Sequence, residues 1–366
     1  MQLVSAERDA LLKPIQTVSG IVERRHTLPI LSNLLIRKTG SELTFLATDI
    51  EVQISTKAEG GAGADVATTV AARKLLDILR ALPPGQVSLE LNNKKLNIKS
   101  GRSRFALQTL GAEDYPTVAQ ATDFKSSFSL GQKALKGLLA LVQYAMAQQD
   151  IRYYLNGLLL IVEPGSVKVV ATDGHRLAFA ALPVDGVTEK QEVIIPRKTV
   201  IELERLLEDS DESIRIDIAS NQVRFQFGNV ELISKLVEGK FPDYNRVIPT
   251  GYKNHFEISR EELIGCLTRA AILTNEKFKG VRCIAGDNSL KISCTNTDQE
   301  EAQEEAEIVY SGDTIDIGFN VTYLLDVLNH LKVEKITISL GDANSSALIT
   351  GGDNADFKYV VMPMRI

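Results

Sequence analysis

The sequence predicts an α+β protein built from three repeated units of about 120 residues each. The tripeptide Ala-Thr-Asp at residues 47–49 recurs at 171–173, and the Arg-Lys pair at 73–74 recurs at 197–198, so both repeats are offset by 124 residues. Each Ala-Thr-Asp ends a strand-like apolar run, and each Arg-Lys opens a helix-like run. This order of patterns favours two helices packed on antiparallel sheet, with about eight strands, in every unit.

A weaker third copy places the remaining boundaries. Residues 280–298 align with the strand block, and residues 319–332 align with the helix block. Polar stretches near 120–127 and 249–255 separate the units. The predicted domains are residues 1–124, 125–251 and 252–366.

An opening helix is predicted at the start of each unit, over residues 6–19, 131–147 and 260–273. In the first of these helices Leu11, Ile15 and Val18 recur at spacings of four and three, which is typical of an amphipathic stripe. Ser129 and Ser259 precede the other two helices and are the expected N-caps.

Composition excludes several classes of protein. The 366 residues are 44% hydrophobic and 24% charged, which is typical of a globular protein with substantial apolar cores. No apolar run approaches the ~18 residues that a membrane helix needs, and the amino terminus lacks the apolar stretch of a signal peptide. Cys266, Cys283 and Cys294 are spaced neither as paired metal ligands nor as a disulfide framework, so we expect reduced core thiols in a cytoplasmic protein.

Charge is distributed unevenly along the chain. The total of −6 argues, taken alone, against a tight nucleic-acid binder. The net charge is +2 over the first predicted domain, −1 over the second and −7 over the third. The densest acidic run, at residues 298–307, could pair with basic side chains of the first domain of another chain, and a head-to-tail contact that closes forms a ring. A solvated acidic loop is the alternative interpretation.

Common catalytic motifs are missing from the sequence, which contains no GxxxxGK[ST], HExxH or GxSxG string. The most enzyme-like string is Asp-Gly-His-Arg at 173–176, but the equivalent first-copy segment at 49–52 has no histidine, and Asp-Gly is also a hairpin-turn signal. We therefore predict no catalytic residues, no metal site and no cofactor. Two other functions stay open for the chain. One is an enzyme that uses Asp173 and His175, and the other is a repeat scaffold with no role on DNA.

Strings over nearly the whole chain carry a resemblance to a known family. They are LPILSNLL (28–35), ATDIE (47–51), SGRSRFALQTL (100–110), QQDIRYYLNG (148–157), ATDGHRLA (171–178), IPRK (195–198), SKLVEGKFPDY (234–244), RAAILTNEKFKGVR (269–282), GFNVTYLLDVL (318–328) and YVVMPMR (359–365). The chain closely resembles the bacterial DNA polymerase III beta subunits, which are the replicative sliding clamps. The resemblance implies three domains of the DNA-clamp type and two chains that close head to tail into a six-domain ring. It also implies a non-catalytic protein that encircles duplex DNA and tethers the polymerase, which raises processivity.

The repeat length is compatible with such a ring. A domain of this size is a ball roughly 35 Å across, and duplex DNA is roughly 20 Å across. Three touching balls leave an opening of about 5 Å, whereas six leave one of about 35 Å. One chain is therefore too small to surround DNA, and two chains leave room for the duplex and water.

The resemblance implies a dimer interface between the first domain of one chain and the third domain of the other. Phe105 and Leu107 are expected to meet Ile272 and Leu273 of the partner subunit. The expected charged contacts join Lys74, Arg102 and Arg104 to Glu300, Glu301, Glu304 and Glu305 across the interface. A place in the local core is the alternative for Ile272 and Leu273.

Contacts to DNA are expected to be few and independent of base sequence, because base readout would arrest sliding. On the predicted second helices, Arg73 and Arg80 lie seven residues apart on one face, as do Lys198 and Arg205. The resemblance implies contacts with tilted or single-stranded DNA at Arg24, Arg73, Gln149, Tyr153 and Tyr154. Tyrosine rings can stack on bases, and packing at the start of a strand is the alternative for the two tyrosines.

The resemblance also implies a partner-peptide pocket between the second and third domains. Its residues are, by position, Leu155, Thr172, Gly174, His175, Arg176, Leu177, Pro242, Arg246, Val247, Phe278, Asn320, Tyr323, Ser346, Val360, Val361, Met362, Pro363, Met364 and Arg365. The pocket accounts for the Asp-Gly-His-Arg string without catalysis, because His175 and Arg176 become rim groups and Leu177 and Val247 become walls.

Some residues at this pocket are conformationally adaptable, and others depart from the pattern of the family. Met362 and Met364 suit a surface that adapts to different ligands. Asn245, Asn344 and Ile366 replace a basic residue, an apolar residue and a leucine that are usual at these positions in the family.

The implied partners extend beyond a second copy of the chain and double-stranded or primed DNA. They include the polymerase alpha subunit, the clamp loader, and other polymerases, ligase and mismatch-repair proteins that carry short linear motifs. No membrane partner is expected, and the expected location is the cytoplasm, in association with the nucleoid.

Overall fold

The computed structural model describes residues 1–23, 28–61, 63–351 and 354–366. Its α+β architecture confirms the predicted fold class, and each third of the described chain contains two helices and eight strands. The helices are α1 (Arg8–Ser19), α2 (Ala72–Ala81), α3 (Gln132–Ala140), α4 (Arg197–Leu206), α5 (Arg260–Ala271) and α6 (Val321–His330).

Each repeat has the order strand, helix, four strands, helix, three strands, so the prediction that a helix opens each unit is wrong, because one strand precedes it. The strands are β1 (Gln2–Glu7), β2 (Asn33–Thr39), β3 (Glu42–Thr48), β4 (Val52–Glu59), β5 (Val66–Ala71), β6 (Gln86–Asn92), β7 (Lys95–Ser100), β8 (Ser103–Leu110), β9 (Ser126–Gly131), β10 (Gly157–Glu163), β11 (Gly165–Thr172), β12 (Arg176–Val184), β13 (Gln191–Pro196), β14 (Ser213–Ile218), β15 (Gln222–Phe227), β16 (Val230–Lys235), β17 (Asn254–Ser259), β18 (Gly280–Gly286), β19 (Ser289–Thr295), β20 (Glu301–Glu307), β21 (Ile315–Asn320), β22 (Lys335–Leu340), β23 (Ala347–Gly351) and β24 (Asn354–Val361). Short 3-10 helices lie at Pro29–Ser32, Gln143–Ala145, Tyr153–Leu155 and Tyr244–Arg246.

Contacts divide the described chain into two compact units. One unit contains residues 1–133 and 201–236, and the other contains 134–200 and 237–366. The first unit has a twelve-stranded sheet in the order β1-β6-β7-β8-β5-β2-β3-β4-β16-β15-β14-β9. The second has an eight-stranded sheet in the order β13-β10-β11-β12-β24-β23-β22-β17 and a four-stranded sheet in the order β20-β19-β18-β21.

Successive repeats share sheets by antiparallel pairing. β4 pairs with β16, and β12 pairs with β24. The hydrogen-bonded sheets therefore continue from one repeat to the next, and the domain boundaries near residues 124 and 251 stay a prediction.

The local signals for helices are partly confirmed. Leu11, Ile15 and Val18 are buried on one face of α1, as the stripe predicts. Ser259 caps α5, since its side chain accepts a hydrogen bond from the Glu262 amide. The expected cap at Ser129 is wrong, because this residue lies within β9 and pairs with Arg215.

Backbone carbonyls replace the missing cap of α3. The amides of Gln132 and Lys133 donate to the carbonyls of Glu212 and Ser210, each at 2.9 Å. These first amides of a helix have no intrahelical acceptor, so carbonyls from a distant segment satisfy them instead of a side chain.

Helix α3 is shorter than the predicted span of 131–147 and ends at Ala140. Beyond it, the Arg176 guanidinium donates to the Tyr144 carbonyl at 2.7 Å, and the Arg197 guanidinium donates to the Met146 carbonyl at 3.1 Å. These carbonyls take charged donors from other elements, which removes the need for further helical hydrogen bonds.

The cysteines lie in the core as expected. Cys266, Cys283 and Cys294 are buried and free. Burial raises the pKa of the Cys283 thiol to about 12, so the reactive thiolate is disfavoured. Among the described residues, no helix is both long enough and apolar enough to cross a membrane.

Candidate functional site

The Asp-Gly-His-Arg string forms the turn between β11 and β12. The Thr172 hydroxyl donates to the Arg176 carbonyl at 2.6 Å and accepts from the Gly174 amide at 3.1 Å. Asp173 Oδ1 accepts from the amides of His175 and Arg176 at 2.9 and 3.1 Å. Gly174 has a φ of 89°, in the left-handed region that favours glycine. Thr172 and Asp173 therefore serve the turn itself, with Asp173 engaged by two amides.

Arg176 is the centre of a buried polar cluster. Its guanidinium donates to Asp173 Oδ2 at 3.1 Å, to Asp326 Oδ2 at 2.5 Å and to the Tyr144 carbonyl at 2.7 Å. Its Cζ lies 4.5 Å from the centroid of the Tyr323 ring, within cation–π range. Only 10% of the side chain is exposed.

The place of Arg176 on the rim of the peptide pocket stays a prediction, and the structure adds that its guanidinium is mostly buried in this cluster. A guanidinium can be buried where acceptors satisfy it, and Asp173 and Asp326 supply two carboxylates. Burial lowers the pKa of Arg176, but Tyr359, Asp326 and Asp173 outweigh it, so the pKa lies above its ordinary value. Arg176 thus holds elements together as a permanent cation.

Aromatic side chains enclose this cluster. The Tyr359 hydroxyl donates to the Tyr323 carbonyl at 2.8 Å, and the rings of His175 and Tyr323 stack with centroids 6.5 Å apart. The rings of Tyr144 and His330 stack at 4.4 Å. Burial raises the pKa of the Tyr359 phenol, so this residue stays a neutral hydrogen-bond donor.

An apolar wall adjoins the turn. Leu155, Leu177 and Val360 are buried in one cluster with Phe179 and Phe241. Antiparallel pairing of β12 with β24 places Leu177 opposite Val360. The structure thus brings three expected pocket residues into a single apolar surface, although they lie up to 205 residues apart.

Three of the expected pocket positions carry exposed apolar side chains. Met362 is 48% exposed, and its amide donates to the His175 carbonyl at 2.9 Å. Val247 and Phe278 are also exposed, at 45% and 56%. Tyr244, which accepts the Val247 amide through its carbonyl, packs against the apolar cluster. Contiguous exposed apolar side chains are typical of a protein-binding surface.

The remaining expected pocket positions are mostly polar, and several of them form hydrogen bonds or ion pairs within the chain. Asn320 caps α6 by accepting from the Thr322 amide at 2.9 Å, and the Ser346 carbonyl accepts from the Tyr252 hydroxyl at 2.8 Å. Arg246 lies in an exposed ion pair at 3.1 Å with Asp243. Pro242 and Arg365 are exposed, and Thr172 and Val361 are buried.

Two strand edges are also candidates for contact with another protein. β8 pairs with β7 over residues 103–108, whereas β5 pairs with it only at Thr109 and Leu110. The six residues of β8 before Thr109 are all exposed or half-exposed, so side chains on both faces of this strand reach solvent. Among them, Phe105 is 38% exposed. β20 is an edge strand of its sheet, and Ile272, just after α5, is 76% exposed. A local core position for Ile272 is therefore excluded.

The comparisons with known families cover nearly the entire chain. Residues 1–119, 129–243 and 245–365 match, in order, the N-terminal, central and C-terminal domains of the DNA polymerase III beta subunit. The chain belongs to the DNA polymerase III beta subunit family. Members of this family are sliding clamps that confer processivity on DNA polymerase III as non-catalytic accessory subunits, so the enzyme and scaffold alternatives are wrong.

Named relatives agree with this assignment. The chain is 45% identical over 363 residues to the beta sliding clamp of Pseudomonas aeruginosa, which covers 98% of this chain and 99% of the relative. It is 44% identical over 371 residues to the beta sliding clamp of Escherichia coli K12, covering 99% of each. A crystal structure of the P. aeruginosa subunit superposes with a TM-score of 0.96 at 45% identity and covers 100% of both chains. Another, of the same organism's clamp bound to griselimycin, has a TM-score of 0.95 at 44% identity and the same coverage.

The cations expected at DNA differ in their surroundings. Arg73 and Arg80 are exposed on α2, and Arg73 donates to the Val22 carbonyl at 3.1 Å. Lys198 is half-buried. Arg205 is held by Glu202 at 2.8 Å and by the Thr17 carbonyl at 3.0 Å, so it also ties α4 to α1. Arg24 lies outside the described residues.

The loop before β10 carries the other expected DNA contacts. Gln149 is exposed, and Tyr153 is 58% exposed. Tyr154 is half-buried and packs against the apolar cluster that contains Leu155, and its contact with DNA stays a prediction. The two tyrosine rings meet edge to face at 5.9 Å.

The acidic residues of β20 divide between its two faces. Glu301 and Glu305 are exposed on one face, and Glu304 lies on the other, because strand side chains alternate. Arg269 of α5 donates to Glu304 at 2.9 and 2.5 Å. Arg269 of the same chain therefore pairs with Glu304, and the contact of Glu304 across a dimer interface stays a prediction. Glu300 accepts from Asn296 at 2.6 Å.

Sequence reasoning missed residues that hold the turn and Arg176 in place. Tyr144 and Asp326 hold Arg176, yet no local pattern marks them, because they lie 32 and 150 residues away from it. Arg152 donates to the Asp173 carbonyl at 3.4 Å and forms a two-point pair with Asp150 at 3.0 Å each. The charged pair in the string Asp-Ile-Arg was the available signal for Arg152.

Proposed function

We propose that two copies of this chain pair head to tail, with β8 of one copy beside β20 of the other, and close a six-domain ring around duplex DNA. The observation that carries this proposal is β8, a strand exposed on both faces before Thr109. A strand with one open edge and apolar exposure is a template for pairing with another chain. β20, the edge strand of the four-stranded sheet, offers the complementary edge.

Charge complementarity supports this pairing. Arg102 and Lys74 are exposed in the first repeat, and Glu301 and Glu305 are exposed on β20. Opposite potentials on two surfaces favour the correct orientation and disfavour like-with-like pairing. Phe105 and Ile272 supply the exposed apolar part of the same surfaces.

The dimer contact is tested by charge reversal on β20. Double replacement of Glu301 and Glu305 by lysine is expected to weaken the dimer about tenfold or more, measured by sedimentation velocity across a concentration series. Glu189→Lys, at an exposed position outside both strands, is the control and leaves the dimer unchanged. A dimer insensitive to the double reversal contradicts the β8–β20 arrangement.

The ring itself is tested by topology. After loading, the protein is expected to stay on closed circular plasmid and to leave the same plasmid once it is linearised, because a ring can slide off free ends. Equal retention on both forms contradicts encirclement and indicates ordinary adhesion.

Inside the ring, the proposed contacts to DNA are Arg24, Arg73, Arg80, Gln149, Tyr153, Tyr154, Lys198 and Arg205. Dispersed phosphate contacts give weak, salt-dependent binding that permits sliding. Charge reversal at Arg73 is expected to impair loading onto primed DNA in low salt, and unchanged loading contradicts its assignment.

The pocket of the second compact unit is the proposed docking site for short linear motifs. The proposed partners are the polymerase alpha subunit, the clamp loader, other polymerases, ligase and mismatch-repair proteins, with the protein in the cytoplasm on the nucleoid. The buried wall of Leu177 and Val360 and the exposed Met362 and Val247 support an apolar peptide anchor. We also propose that griselimycin binds this chain, as it binds the P. aeruginosa clamp.

Peptide docking is tested with a labelled peptide that carries the clamp-binding motif of the cognate alpha subunit. Leu177→Ala is expected to weaken its binding at least about tenfold by fluorescence anisotropy, because the peptide loses an apolar wall. Competition by griselimycin for the same peptide supports a shared site, and full binding by Leu177→Ala contradicts the pocket.

A further inference from the structure

The last residues of the chain, 362–366, form a terminal segment that is held at two points. The Met362 amide donates to the His175 carbonyl at 2.9 Å. The Met364 amide donates to the Gly318 carbonyl at 2.7 Å, and the two residues form an isolated antiparallel bridge. The segment thus connects the turn before β12 with strand β21 of the four-stranded sheet.

Gly318 lies in the interior of β21, where glycine weakens a strand. It is not among the glycines with positive φ, so its backbone conformation does not require glycine. A Cβ at this position would lie 2.4 Å from the Met364 carbonyl oxygen and 2.6 Å from Ile366 Cδ1. Close approach of the terminal backbone is therefore the physical reason for glycine here.

Gly280 of β18 provides a matched comparison. It pairs with Asn320 and faces the same terminal segment. A Cβ at Gly280 would lie 3.4 Å from Met364 Sδ and 3.5 Å from Ile366 Cδ1, which is ordinary van der Waals contact with side chains. Of the two glycines, Gly318 alone would force backbone to move.

We propose that Gly318 is a positioning residue of the peptide pocket, because its missing side chain lets the terminal segment pack directly against β21. This packing fixes residues 362–365, which form one side of the proposed pocket. This inference rests on the proposed peptide-docking function and identifies what holds that side in place. Without this packing, the terminal segment has to be ordered when the peptide binds, and the entropy lost on ordering lowers the affinity for the peptide.

Alanine substitution at each glycine tests the proposal. Gly318→Ala is expected to weaken binding of the labelled alpha-subunit peptide about tenfold, whereas Gly280→Ala stays within about twofold of the original protein. Hydrogen exchange at the Met364 amide is expected to accelerate in Gly318→Ala and to stay slow in Gly280→Ala. A purely structural role for Gly318 would lower the melting temperature without this local change in exchange.

A second variant keeps the test decisive if Gly318→Ala folds poorly. Ile366 is 69% exposed at the end of the chain, so Ile366→Ala leaves the folded cores intact while it removes contacts with both glycines. It is expected to weaken peptide binding about threefold and to speed Met364 exchange.

The outcomes separate the two proposals. Absence of peptide binding by the original protein overturns the peptide pocket. Peptide binding that is equally tight in the original protein, Gly318→Ala and Ile366→Ala, with unchanged Met364 exchange, overturns the positioning role of Gly318 and leaves the pocket intact.

Discussion

The turn at Thr48–Val52 and the turn at Thr172–Arg176 have the same hydrogen-bond frame in two different compact units. In the first turn the threonine hydroxyl donates to the Val52 carbonyl at 2.9 Å and accepts from the Ile50 amide at 3.0 Å. The Asp49 carboxylate accepts from the amides of Glu51 and Val52 at 3.0 and 2.7 Å. The second turn repeats all four bonds. These four hydrogen bonds therefore stabilise the turn itself in both repeats.

The side chains on this frame differ completely. Val52 is buried in an apolar setting, whereas its equivalent Arg176 organises two carboxylates and two tyrosines. Glu51 forms an exposed ion pair with Lys235, whereas its equivalent His175 stacks near a tyrosine of α6. The proposed peptide pocket thus lies beside only one of the two turns, and the side chains make the difference.

The largest expected effect comes from the residue that distinguishes the second turn. Arg176→Met leaves Asp173 and Asp326 without their buried cation and is expected to lower the free energy of unfolding by about 3 kcal/mol. The control is Val52→Ala at the equivalent position, with an expected loss of about 2 kcal/mol from apolar burial. Urea titrations measure both, and a cost for Arg176→Met below that of Val52→Ala contradicts the central role of Arg176.

The shared aspartates give the next effect. Asp49→Ala removes the acceptor of two amides and is expected to cost about 2 kcal/mol, whereas Asp49→Asn keeps an acceptor oxygen and costs less than about 1 kcal/mol. Asp173→Ala is expected to cost more than Asp49→Ala, because Arg176 loses a partner as well. Equal costs in thermal unfolding would show that the two turns are energetically equivalent.

Backbone conformation provides a smaller difference. Ile50 has a φ of 80°, close to the 89° of its equivalent Gly174, although a β-branched residue rarely adopts this conformation. Ile50→Gly is expected to stabilise the protein by about 0.5 kcal/mol, because relief of strain exceeds the added entropy of the unfolded chain. Ile50→Ala, which keeps the strain, is expected to bring no gain. Destabilisation by glycine relative to alanine would indicate that packing of the isoleucine side chain dominates.

The smallest effect concerns the charged pair beside the second turn. Hydrogen bonds from Arg152 lower the pKa of Asp150 to about 2 from an ordinary value of 3.8. The pair is therefore fully formed above about pH 4 and is lost as the pH falls through the folded-state pKa. A carbon-13 titration of the Asp150 carboxyl is expected to give a midpoint near 2, and Arg152→Ala is expected to return it towards 3.8. A normal midpoint in the original protein contradicts the pairing.

Much of the candidate site was visible in the sequence as a set of positions, but their arrangement was not. The resemblance supplied Leu177, Val360 and Met362 as pocket residues, and the structure brings the first two into one cluster. The partners that Arg176 and Glu304 find within the chain, Asp326 and Arg269, were not predicted. Such pairings depend on which distant elements pack together, and periodicity carries no information about that.

The sequence by itself determined the three repeats, the two helices and about eight strands of each repeat, the stripe of α1 and the cap at Ser259, because each depends on residues close together in the chain. Only the tertiary structure decided where α3 ends and what Arg176 does. Leu138, Leu139 and Val142 continue an amphipathic pattern towards Met146, yet the arginines at 176 and 197 donate to the carbonyls of Tyr144 and Met146 and the helix stops first. These bonds depend on how distant strands and helices pack, whereas the intrinsic helix preference is local and worth only a fraction of a kcal/mol per residue, about 0.7 at most.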